Sequence, residues 1–119
     1  MGITLNPFTG QFDFIGEWIK IKDPISASAS STFDTIPLTD FVHAEYLINY
    51  RSQTTDEAKS FKFSVLNDNS VLKDSVYVKM GTNIRVDVSA DVNAGNFELN
   101  FTNNEIFDVD ISVARLVLE

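Results

Sequence analysis

Cysteine is missing from this chain, and histidine and tryptophan occur once each, as His43 and Trp18. Without cysteine there is no disulfide framework, no thiolate metal site and no sulfur nucleophile. A lone histidine removes multi-histidine metal centres. Basic residues are scarce: nine Lys and Arg stand against seventeen Asp and Glu, for a formal net charge of −8, which argues against direct binding of nucleic acid. No apolar run exceeds three residues, so the sequence holds neither a bilayer span nor a signal-peptide core, and no membrane partner is expected. With only five glycines there is no phosphate-cradling loop or dinucleotide fingerprint. These absences leave no support for catalysis, and neither a cofactor nor a metal is expected.

What is present is β-sheet chemistry. The chain has 119 residues, a length suited to one core, with 44% hydrophobic residues and ten Phe. Apolar residues recur at a spacing of two. Ile84, Val86, Val88, Ala90 and Val92 alternate with Arg85, Asp87, Ser89 and Asp91. That period puts the apolar side chains on one face of a strand and the charges on the other. Val42, Ala44, Tyr46, Ile48 and Tyr50 form a second such row, interrupted by the off-pattern Leu47. Further rows are Phe61–Phe63–Val65, Val76–Val78–Met80, Phe97–Leu99–Phe101 and Phe107–Val109–Ile111–Val113. Leu116, Val117 and Leu118 lose the alternation, which implies burial on both faces or an edge covered by a partner.

Turn-forming residues separate the rows at 53–57, 67–70, 81–83, 93–96 and 103–105. Short strands at such intervals indicate an all-β, antiparallel β-sandwich, and a count near eight strands makes it jelly-roll-like. Residues 32–119 are assigned to the sandwich and 1–31 to an N-terminal hairpin or arm with a linker. Trp18–Lys22 is a further possible strand. The small-residue stretch 24–31 reads as an extended strap, with a flexible linker as the alternative.

Candidate site residues are few. His43 has no triad partners and reads as a solvent-facing strand residue. Asp87 and Asp91, and Asp108 and Asp110, could hold a hard cation or act as an acid–base pair only if their strands were neighbours. The stretch 91–96 has calcium-like oxygen spacing, but Gly95 comes one place early and no closing acid follows, so a hairpin turn is preferred. Tyr46 and Tyr50 belong to the apolar row, whereas Tyr77 lies opposite Val76 and Val78 and is the better exposed aromatic.

The opening Ile3-Thr4-Leu5-Asn6-Pro7-Phe8-Thr9-Gly10-Gln11-Phe12-Asp13-Phe14-Ile15 resembles the Asn-Pro-x-Thr-Gly-x-x-Asp segment near the start of some tailed-bacteriophage virion proteins, small and fibre-associated ones especially. The resemblance covers thirteen residues. It implies an N-terminal segment that docks on a phage particle, ahead of a β-sandwich module. The expectation is a non-enzymatic virion structural protein, for capsid decoration or in a tail or fibre, assembled in the host cytoplasm. Its partners would be other virion proteins and copies of itself, a trimer being favoured by analogy. Phe8, Phe12, Phe14 and Trp18 are the partner-binding anchors, unless the hairpin is simply two edge strands of the sandwich. A cysteine-free chain suits assembly in a reducing cytosol. The reading from a different class is a carbohydrate-binding β-sandwich using Tyr77, Trp18 and surface Asn and Asp, and the two are compatible if a virion module binds host glycans.

Overall fold

The computed structural model describes residues 19–118. Eight strands form two antiparallel sheets: β1 Ile19–Ile25, β2 Ser30–Pro37, β3 His43–Ser52, β4 Ala58–Asp68, β5 Val71–Gly81, β6 Val86–Asn93, β7 Asn96–Asn103 and β8 Val109–Leu118. One sheet has five strands in the order β1-β8-β3-β4-β5, the other three in the order β2-β7-β6. The expected sandwich is therefore present. Pairing of the first strand with the eighth and the second with the seventh is the nested order of a jelly roll. The inner strands differ, because β4 and β5 stay beside β3 while β6 joins β7.

Alternation built these sheets. Tyr46, Ile48 and Tyr50 of β3, Phe61, Phe63 and Val65 of β4, and Val109, Ile111 and Val113 of β8 face Phe97, Leu99 and Phe101 of β7, and all are buried. The aromatics meet edge to face, with ring centroids 4.9 Å apart for Phe33 and Phe101 and 5.2 Å for Tyr50 and Phe61. Such pairs add to the burial of their area.

The turns follow backbone chemistry. Ala94 and Gly95 both have positive φ, 52° and 79°, and join Asn93 to Asn96 in the tight primed turn whose twist suits a hairpin. Asn69 and Ser70 do the same between β4 and β5. Gly81 ends β5 at φ 94°, where a Cβ would lie 2.2 Å from the Ala58 carbonyl oxygen.

Two sequence expectations change. Residues 24–31 are the end of β1, a turn closed by Ala29 N–H donating to Ser26 O, and the start of β2. They are paired because Pro24 and Ile25 sit opposite Asp110 and Val109, and Ser30 opposite Thr102. Val76, Val78 and Met80 do not form a single row. Two residues of β5 oppose Phe61, and this bulge, with Val78 at φ 55°, changes which face the later residues take.

The β7–β8 turn is held by buried polar groups. Asn103 Nδ2 donates to the carbonyls of Ile25, Ser26 and Phe107, and its Oδ1 accepts from Glu105 N–H. Glu105 accepts from the Arg85 amide at 2.8 Å and from its guanidinium at 3.1 Å. The amide bond first, then the guanidinium, holds the Glu105 carboxyl below its ordinary pKa although burial opposes this. A depressed folded pKa contributes stability above the unfolded value, and that stability is lost as pH falls through the folded one. Glu105→Gln should therefore cost about 1 kcal/mol at neutral pH, and the gap to wild type should close on acidification. Urea titrations at a series of pH values check this; a gap that persists in acid contradicts it.

Candidate functional site: the outer face of the five-stranded sheet

The two outward faces of the sandwich differ in chemistry. On the three-stranded sheet the outward residues are hydroxyls, amides and acids. Ser30 bonds Thr102, Thr32 donates to Asn100, Asn100 donates to Asp91 and Asn104 to Asp87. Its strands contain no Lys or Arg, and these side chains already satisfy one another. Every Lys and Arg except Arg85 lies in a strand of the five-stranded sheet.

The outward face of that wider sheet is graded along its strands. At one end Lys22, Asn49, Arg51, Asp110 and Ser112 surround a polar depression. Towards the other end leucines take over. Leu47 is 44% exposed and Leu66 43%, while Leu116 and Leu118 are half-buried beside them. Leu66 and Leu118 flank His43 from the two neighbouring strands. A depression of about 240 Å³ opens between Leu47, Leu116, Glu45 and Lys62, floored by the backbone of Tyr46.

A hydrogen-bonded relay borders it. Tyr77 Oη donates to Glu45 Oε1 at 2.6 Å and lies 3.1 Å from Ser64 Oγ. The bond to Glu45 stabilises the neutral phenol and raises the Tyr77 pKa. Tyr77 thus sits on the outward face as its position opposite Val76 implies, with its hydroxyl engaged by a carboxylate. One acid, Glu45, and one lysine, Lys62, line this depression. The arrangement suits recognition of a partly apolar, partly polar surface.

The remaining candidates fall elsewhere. Tyr46 and Tyr50 are in the core. Asp87 and Asp91 lie on β6 and Asp110 on β8, in different sheets, so the four acids do not converge. Asp108 accepts from Ala27 N–H and Asp110 from Gln53 Nε2. No group of three potential metal ligands occurs among the described residues. Phe8, Phe12, Phe14 and Trp18 lie outside the described residues. Leu47 and Leu116 are site residues that sequence reasoning misses. Their signal is an off-pattern leucine and a lost alternation.

No family model and no curated protein matches the sequence. Solved structures do. The fold is shared with part of a phage tailspike. The crystal structure of the Acinetobacter baumannii phage AM24 tailspike protein superposes with a TM-score of 0.52 over 84% of this chain, at 8% identity. That of the Acinetobacter phage vB_ApiP_P1 tailspike gives 0.47 over 92%, at 9% identity. The chain spans only about a quarter of either tailspike, 25% and 24%.

Proposed function

We propose that this chain is a non-enzymatic structural module of a tailed-phage virion, on the tail rather than the head. It assembles with copies of itself, as a trimer, and with other virion proteins. The observation that carries the reading is the pair of unlike sheet faces, one acidic and self-satisfied, the other presenting Leu47, Leu66 and Leu116, on a fold shared with a tailspike segment. An exposed apolar patch on a strand-rich module is a contact surface in waiting. The aromatic segment bearing Phe8, Phe12, Phe14 and Trp18 supplies further anchors, as its resemblance to phage virion proteins implies.

Replacing Phe8, Phe12 and Phe14 together by Ala should dissociate the oligomer, measured by light scattering, while leaving the circular dichroism spectrum unchanged. A wild-type protein that is monomeric at all concentrations overturns the assembly reading. A triple variant that unfolds places those rings in the core instead. A second reading, binding of a host glycan, is favoured by Tyr77, whose ring lies on the outward face beside Glu45 and Lys62. A glycan array with Tyr77→Ala as control separates it from pure assembly.

A further inference from the structure

The five-stranded sheet is wider than the three-stranded one, and its last strand, β5, lies at the sheet edge. β6 is an edge strand of the other sheet. Only residues 82–85 join the two, so Gly81 and Val86 lie at the same end and β6 runs back against β5. The strands thus form two lips along one side of the sandwich. Among the described residues nine large apolar side chains are exposed, and five of them are on these lips: Val71, Val76, Val78 and Met80 of β5 and Val92 of β6. Val76 faces inward opposite the core residue Phe63, and Val92 faces inward opposite Phe97, yet neither is covered. The lips also differ in charge. β5 carries Lys73 and Lys79 against Asp74, and neither lysine makes an ion pair among the described residues. β6 carries Asp87 and Asp91 and no cation. Both aspartates accept side-chain hydrogen bonds through Oδ2, which leaves Oδ1 for a cation.

We propose that β5 of one copy packs beside β6 of the next, so that the lips of neighbouring copies close on each other around an axis parallel to the strands. The occupant is a second copy of this chain, because the module carries both halves of the contact. Charge selects this pairing. β5 against β5, antiparallel about Val76, would set Lys73 opposite Lys79, and β6 against β6 about Ser89 would set Asp87 opposite Asp91. Like charges directly opposite are destabilising. β5 against β6 instead brings lysines to aspartates. Lys79 and Asp87 lie near the shared end of the lips, and Lys73 and Asp91 lie further from it. Edge lysines and a bulge keep an edge strand from pairing indiscriminately. β5 has both, and its lysines still admit an acidic strand. An axis parallel to the strands keeps β5 and its neighbour's β6 antiparallel and gathers the inward Val76 and Val92 beside it, out of water. Such a contact is heterologous and closes as a ring. The inference rests on the assembly reading and deepens it by naming the surface through which copies meet. Leu47, Leu66 and Leu116 remain for other virion proteins.

Light scattering on the full chain reads the oligomer, and three charge variants test its lips. Lys73→Glu with Lys79→Glu makes both lips acidic and should weaken association by roughly tenfold or more, with the circular dichroism spectrum unchanged. Asp87→Lys with Asp91→Lys makes both lips basic and should do the same. The quadruple variant, with the signs exchanged, should reassemble. Added salt should weaken the wild-type oligomer. Asp87 and Asp91 also hold side chains of their own sheet, so a direct measurement stands beside the variants. Isotopically labelled and unlabelled wild-type protein are mixed, allowed to exchange subunits and coupled with a carbodiimide. Links should join Lys73 or Lys79 of one chain to Asp87 or Asp91 of another. Wild-type protein that is monomeric at every concentration would overturn the assembly reading and this contact with it. An oligomer that survives both reversals, or whose links between chains lie elsewhere, would overturn the contact alone and leave assembly standing.

Discussion

Raising the pH from 10 to 12 should strip this protein of roughly 5 kcal/mol of stability, and two buried tyrosines set that loss. Tyr46 and Tyr50 are fully buried. Burial pushes both phenols far above their ordinary value; for Tyr46 the Asp34 carboxylate adds to the effect against a smaller opposing pull from Arg115, and for Tyr50 Asp87 adds to it. A folded-state pKa raised above the unfolded one gives stability that is intact below the unfolded value, near 10, and lost as pH rises beyond it. Each tyrosine then removes about 1.4 kcal/mol per pH unit, so the pair costs roughly 5 kcal/mol by pH 12. That matches the lower end of the stability of small domains, about 5–15 kcal/mol.

The two tyrosines can be separated. The Tyr50 hydroxyl is buried with no partner among the described residues, so Tyr50→Phe removes a desolvated polar atom and should be neutral or stabilising at pH 7. Tyr46 Oη donates to Asp34 Oδ2 at 2.8 Å, and Tyr46→Phe should cost about 1 kcal/mol at pH 7. Either substitution should halve the loss of stability per pH unit above 10, read from urea midpoints followed by circular dichroism. A Tyr50→Phe protein with the wild-type alkaline slope would show that Tyr50 ionises inside the fold.

Alternating rows make most of the strands legible in the amino-acid sequence alone. Phe97, Leu99 and Phe101 can only be one face of a strand, and they line the core. The same period draws Tyr46 and Tyr50 inward, where they lie. What alternation does not convey is which polar residue also turns inward. Asp34 does so because a bulge at Phe33 lets two consecutive side chains face the core, a shift that no local residue pattern announces. Asn103 continues the Phe97 row as its fourth buried member, yet an Asn beside a turn reads as a turn residue until its three carbonyl partners are known. The outward leucine patch is half legible. Leu47 breaks a polar face and Leu116 and Leu118 break an ending, but only the pairing of β3 with β8 brings Leu47 and Leu116 together.

Asp34→Ala should destabilise the sandwich by about 3–5 kcal/mol, because it strands a positive charge between the sheets. Arg115 of β8 donates one guanidinium nitrogen to both Asp34 carboxylate oxygens of β2, at 3.0 and 2.9 Å. The side chains are 16% and 11% exposed, so the pair is largely desolvated and unlike the exposed Arg51–Asp56 pair, at 54% and 85%. An exposed pair of that kind is worth under about 1 kcal/mol, and Asp56→Asn, which keeps a residue suited to the φ of 60° there, is the internal control. In Asp34→Ala the guanidinium and the Tyr46 hydroxyl both lose their acceptor, with little water to replace it. Substituting the partner as well, Arg115→Met with Asp34→Ala, removes the stranded charge and should recover more than half of the loss. The cycle of two single variants and one double isolates that coupling, since Arg115 and Asp34 touch directly. Equal destabilisation of the single and double variants would mean that β2 and β8 are joined by their apolar residues alone. A large coupling identifies this pair as the clamp that joins β8 of one sheet to β2 of the other.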